Sequence, residues 1–269
     1  MRTFGRMRLG EPYRFQSFET AMRSAMKTMK TMIGMTTMKR WLLGLGALCG
    51  LQTLSAQNLD SLLRTVHDRD QAVRLEFLRL SQQEPQQVDS LLAACARMEE
   101  VDARNRQIVS SLLENGWPEG LSDEANETIW LVIDHADLAM QRRFMPLVEE
   151  QMRAGRISGA SYATLLDRML MREGRPQRYG TQTHASTLLV DGAPQRVERI
   201  CRLWPVESPE RLDSLREAVG LEPIDDYLRA VGKSYGAPCT WDPTLGVEAF
   251  SEEYQLNCRT SGRPAGGSR

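Results

Sequence analysis

Ile129-Trp130-Leu131-Val132-Ile133 is apolar on every side of a helical wheel, and Asp134-His135-Ala136-Asp137 follows directly. A helix with no polar face must be surrounded by protein rather than laid on a surface. That requirement sets the fold class, because other amphipathic helices have to be present to surround it. Ser122 can cap this helix, which the spacing carries to Leu138.

Upstream, Leu59, Leu62, Leu63, Val66, Val73, Phe77 and Leu80 recur at helical spacing with a slip in a charged middle, and Glu84-Pro85 ends the run. A second helix then reaches Leu113, where Asn115-Gly116-Trp117-Pro118 stops it. Downstream, Pro146 suggests a break or a first-turn position before a short helix ending at Gly155. Ser158 can cap a fifth helix to Glu173. The pattern then changes. Thr187 to Val190 and Val197 to Trp204 are β-prone and flank Asp191-Gly192, a strong hairpin-turn dipeptide. Ser208 can cap a further helix to Val219, and Glu222-Pro223 opens a last one to about Val231. The expected fold is mainly α: an irregular helical array with one β-hairpin at about residues 183–204 and a flexible C-terminal tail.

Met38-Lys39-Arg40, an apolar run from Trp41 to Leu54 and then Ser55-Ala56 have the order of a secretory signal cut after Ala56. The chain is therefore expected to be exported, periplasmic or extracellular, with no membrane anchor after cleavage. The Met-rich residues 1–37 read as a disordered leader or an unused upstream start, residues 57–236 as a single mainly helical domain, and residues 237–269 as an irregular tail. Residues 1–56 carry nine Lys or Arg and two Glu, so the remainder keeps 25 basic and 33 acidic residues, a net charge of −8. That balance speaks against nucleic acid or anionic lipid as a general partner. Cys95, Cys201, Cys239 and Cys258 remain, which permits two disulfides in an oxidising compartment. Cys239 with Cys258 is the favoured pair, stapling the tail, and Cys95 reads as a core thiol.

Polar groups interrupt the apolar pattern at defined places. Val88, Leu91, Cys95, Met98, Asp102, Asn105, Val109 and Leu112 form one stripe of the second helix, so Asp102 and Asn105 interrupt a seam. A buried carboxylate needs a cation or several donors, and Arg106 is the local candidate. His135 is the best general-base candidate among His67, His135 and His184, although a lone helical His also serves as a satisfied core residue. Asp134 and Asp137 diverge from it around the helix and form no chelating pair with it. Between Asp167-Arg168 and Gln182, Gly174 ends a helix, Pro176 stiffens the exit, and Gly180 allows a turn closed to other residues. Such a loop can aim the Gln177 and Gln182 amides and the Tyr179 hydroxyl at one polar object, either a ligand or the unpaired ends of neighbouring helices. The chain has no Gly-x-Ser-x-Gly, no His-x-x-x-His pair and no phosphate-cradling glycine loop. No metal site and no cofactor are expected.

Trp117-Pro118, Trp130 through His135 to Asp137, and Asp167-Arg168 through Tyr179-Gly180-Thr181-Gln182 resemble an uncharacterised family of bacterial proteins. Asp102-x-x-Asn105-Arg106 and Leu215-Arg216 through Tyr227-Leu228 are similar to flanking parts of that pattern, which spans roughly residues 95–230. The family usually has Gln where this chain has Asp134. The resemblance implies a bacterial origin and no reaction.

Three readings follow. The first is an exported module that binds a polar small molecule or glycan fragment, or a protein partner. Its pocket would be lined by Asn105, Arg106, His135, Asp137, Asp167, Arg168 and the loop from Gln177 through Tyr179, Gly180 and Thr181 to Gln182. The second is a hydrolase or transferase with His135 as general base, oriented by Asp102 or Asp167. The third is a structural or interaction protein with a buried polar network. Asn126-Glu127-Thr128 is a glycosylation sequon inside a predicted helix, and no role is assigned to it.

Overall fold

The computed structural model describes residues 56–81, 83, 88–190 and 196–250. The leader at residues 1–37, the signal segment up to Ser55, and Cys258 lie outside the described residues. The fold is mainly α with a small three-stranded sheet. It divides into two compact units, with the boundary between Tyr162 and Ala163.

The first unit contains α1 (Ala56–Ser81), α2 (Val88–Leu112), α3 (Asp123–His135) and α4 (Leu138–Arg153). Helix α3 packs against α1, α2 and α4. Ile129 and Ile133 are fully buried, and Trp130, Leu131 and Val132 nearly so. The apolar run thus lies where its composition required. Ser122 Oγ accepts from Ala125 N at 3.2 Å and caps α3. The sequon Asn126 is buried: it accepts from the Trp117 indole at 2.8 Å and donates to Ser122 O at 3.0 Å, pinning the Trp117-Pro118 turn.

Helix α3 ends at His135, three residues before the expected Leu138. Ala136 is extended, and Asp137 Oδ1 accepts from Met140 N at 2.8 Å, making Asp137 the N-cap of α4. The Gln141 side chain then donates to Asp134 O at 2.7 Å, which occupies a carbonyl at the end of α3. The break expected at Pro146 does not occur, because α4 is continuous through it. A proline removes one helical hydrogen bond, and the burial of Phe144 and Val148 on either side carries the helix across the gap.

Helix α5 (Gly159–Arg172) crosses the unit boundary. The second unit continues with β1 (Thr183–Val190), β2 (Arg196–Leu203), a 3₁₀ turn (Pro209–Arg211), α6 (Leu212–Ala218), α7 (Ile224–Tyr235) and β3 (Cys239–Thr240). Strands β1 and β2 pair antiparallel from Thr183 with Leu203 to Val190 with Arg196. The hairpin turn expected at Asp191-Gly192 lies outside the described residues. Ser208 makes no side-chain cap, and a 3₁₀ turn precedes α6 instead. The segment after residue 236, expected to be irregular, contributes β3, parallel to β2, and buries Phe250 against Trp204. Cys201, Leu203, Leu212, Ile224, Tyr227, Leu228 and Val231 form the core of this unit.

Candidate functional site

In the first unit α1 brings in Asp70 and Arg74, one turn apart. Arg74 Nη1 donates to Asp70 Oδ1 at 2.9 Å, and Nη2 donates to Asp102 Oδ1 of α2 at 3.0 Å. Asp70 Oδ1 also lies 3.2 Å from His135 Nδ1, at the end of α3. Asp70, Arg74, Asp102 and His135 are all buried, with Arg74 at 0% exposure. Three helices therefore meet on one ionic cluster, and the guanidinium between two carboxylates offsets charges that would be prohibitive singly.

Beside the cluster lies a narrow recess lined by Asp70, Asp102, Asn105, Arg106, Val132 and His135, packed too tightly to hold a water molecule. Asn105 is only 2% exposed, and its Nδ2 donor has no hydrogen-bond partner. A buried donor left unmade costs roughly 1–3 kcal/mol. Arg106 stands half-buried in the same wall and supplies a cation.

The cation that holds Asp102 is Arg74, 28 residues earlier, where the sequence had suggested Arg106. The carboxylate on His135 Nδ1 is that of Asp70, where Asp102 or Asp167 had been expected. Neither Asp70 nor Arg74 was singled out from the sequence. A signal existed, since Leu63, Val66, Asp70, Arg74 and Phe77 step by three and four and all are buried. The apparent slip in the charged middle of α1 is this seam continuing through a charged pair. Asp137, by contrast, is exposed and spends its carboxylate on the α4 cap.

The other predicted site residues lie in the second unit. Asp167 accepts from the backbone N–H groups of Arg178, Tyr179 and Thr181 and from the Thr181 hydroxyl, at 2.7–3.1 Å. Burial pushes the Asp167 carboxyl up to about 6, against the downward pull of those four donors. Gln177 Nε2 donates to Gln182 O and Trp204 O, and its Oε1 accepts from Gln182 N. Gln182 Nε2 donates to Thr164 O and Thr181 Oγ1. Arg168 and Tyr179 are buried as well. Arg216 of α6, fully buried, donates to the Tyr179 and Gly180 carbonyls, and the Tyr227 hydroxyl donates to Thr181 O.

Gly180 has φ +66, and a Cβ there would stand 3.2–3.3 Å from Ile224 and Leu212 side-chain carbons. The loop is thus a clasp in which Asp167, Gln177 and Arg216 bind backbone groups that no strand or helix satisfies.

The described residues hold no cluster of His, Cys, Asp and Glu suited to a metal ion, and no described helix is long and apolar enough to cross a membrane. Fold and site together define a mainly helical protein in which a buried ionic cluster beside a small polar recess joins three helices of the first unit. The chain belongs to the Family of unknown function (DUF6624), which matches residues 57–239. No curated protein and no solved structure matches it.

Proposed function

We propose that the chain is an exported module that binds the oxygen-bearing end of a small polar ligand in the recess between α1, α2 and α3. The observation that carries this reading is the Asn105 amide: a buried donor with no partner, set in the wall of a recess beside a cation. A carboxylate or carbonyl oxygen would satisfy that donor and face Arg106. As packed, the recess has no room for a water-sized group, so binding requires its walls to part and admit one functional group, with the remainder of the ligand left outside. The clasp around Asp167, Gln177 and Gln182 is left out of the pocket because its polar atoms are occupied by backbone groups. Export is supported by the family match, which starts at residue 57, directly after the expected cleavage point.

Acetate and acetamide, the smallest probes of the two ligand chemistries, test this on the full chain by side-chain amide NMR. A saturable shift of the Asn105 Nδ2 resonances with either probe, weakened in Arg106→Ala, is the expected result. Resonances that stay fixed with both probes would overturn the reading.

A second reading rests on the Asp70 to His135 contact. A carboxylate that accepts from Nδ1–H leaves Nε2 as the basic nitrogen, the arrangement of a general base in a hydrolase or transferase. Hydrolysis of an activated acetate ester that is lost in both His135→Ala and Asp70→Asn would favour it. A rate no greater than that of the denatured chain would count against it.

A further inference from the structure

Cys201 and Cys239 occupy opposed positions on β2 and β3, paired in the parallel register. Their sulfurs share a hydrogen bond at 2.8 Å. Both are thiols in this structure; Cys201 is buried and Cys239 half-buried. The backbone of Cys239 cannot drift from this position without cost, because it is packed against α7. A Cβ built on Gly232 would come within 2.9 Å of Cys239 N, so the helix and strand touch where only glycine fits. Thr240 Oγ1 reaches back to Cys201 O at 3.4 Å.

We propose that Cys201 and Cys239 are a disulfide-forming pair, closed by exchange with a small-molecule or protein disulfide, and that this bond fixes β3 to the sheet. The sequence favoured Cys258 as the partner of Cys239; the tertiary structure supplies a different sulfur already in place. Two thiols held at contact need no search of conformations, so the second exchange step is intramolecular at high effective concentration. The half-buried Cys239 is the sulfur an outside disulfide reaches. The hydrogen bond between the sulfurs and burial push the Cys239 thiol up, while Cys201 is held below the usual thiol range, so the pair's first thiolate is Cys201. Cys239 passes its proton to it across the 2.8 Å contact and attacks one sulfur of the oxidant, and a mixed disulfide forms as one oxidant thiolate leaves. Cys201, after losing that proton, then attacks the Cys239 sulfur and expels the second oxidant thiolate. Two cysteine thiols are oxidised, one external disulfide is reduced to two thiols, and no other electron acceptor is needed.

The test is peptide mapping of the full chain equilibrated with oxidised and reduced glutathione, blocked with an alkylating agent and cut with trypsin and a Glu-specific protease. Trypsin isolates Ile200-Cys201-Arg202, and cleavage after Glu248, Glu252 and Glu253 separates Cys239 from Cys258. The expected product is the Cys201 peptide joined to the Cys239 peptide, lighter by two hydrogens than the separate thiols. In Cys201→Ser that product should vanish, and Cys239 should instead retain a glutathione adduct. A Cys239–Cys258 link with Cys201 alkylated would overturn the proposal in favour of the terminal staple. Full alkylation of both Cys201 and Cys239 under oxidised glutathione alone would overturn it as well. Because the pair lies in the second unit, its outcome is separate from that of the recess.

Discussion

Arg74 Nη2 lies 3.0 Å from Asp102 Oδ1, an ion pair between α1 and α2 in which Arg74 is fully shielded and the Asp102 side chain is only 9% exposed. Shielding changes what the pair is worth. A surface pair contributes at most about 1 kcal/mol, whereas breaking a buried one leaves an uncompensated charge. Arg74 also faces Asp70 at 2.9 Å, so its removal would take the shared cation from two buried carboxylates at once.

Arg74→Met should therefore cost about 3–5 kcal/mol of unfolding free energy in a urea titration. Replacing the whole set, as Asp70→Leu, Arg74→Met and Asp102→Leu together, should cost clearly less than Arg74→Met alone, because no buried charge is left behind. A loss below about 1 kcal/mol for Arg74→Met would show that water reaches the cluster.

Asn105 offers a contrasting case. Its Nδ2 lacks a partner in a buried wall, so Asn105→Ala should leave stability unchanged or raise it by up to about 1 kcal/mol, while abolishing any probe binding at the recess. A loss above about 2 kcal/mol would mean that the amide already makes bonds the fold needs, and the ligand reading would fall with it.

Asp167 makes stability depend on pH. Its folded value of about 6 lies above the ordinary 3.8, so the protonated form is the one the fold favours. The corresponding stability is complete below 3.8 and is lost as pH rises through 6. About two units at 1.36 kcal/mol each give roughly 3 kcal/mol. The stability difference between the native chain and Asp167→Asn should shrink by about that much between about pH 4 and about pH 7. A difference that grew over this range would show the four donors outweighing burial.

Gly180→Ala examines the clasp. A side chain at φ +66 with contacts of 3.2–3.3 Å to Ile224 and Leu212 should cost about 1–3 kcal/mol, read as a lowered Tm of the full chain. An unchanged Tm would mean that the loop relaxes and is not held by the α6 and α7 side chains.

Much of this protein was legible in sequence because the signals were local. Ser122 before the apolar run gave the start of α3, and the seam through Asp102 and Asn105 identified both as buried polar residues. The end of α3 was misjudged because Asp137 is a better N-cap than helix interior, and Gln141 closes the break from the next helix. The loop from Gln177 to Gln182 was recognised as chemically dense. What it binds was not legible, since its partners Arg216, Tyr227 and Trp204 come from later elements.

The mainly helical class, the β-hairpin and the burial of Asp102 and Asn105 could be read from the chain alone, because apolar periodicity and strand propensity act over a few residues. That Arg74 pairs with Asp102, that Asp70 meets His135 and that Cys201 faces Cys239 emerged from the packing of the elements. Each of those contacts joins residues at least 28 positions apart. Periodicity reports which face of an element is buried; only the packing of one element on another selects the group it meets there.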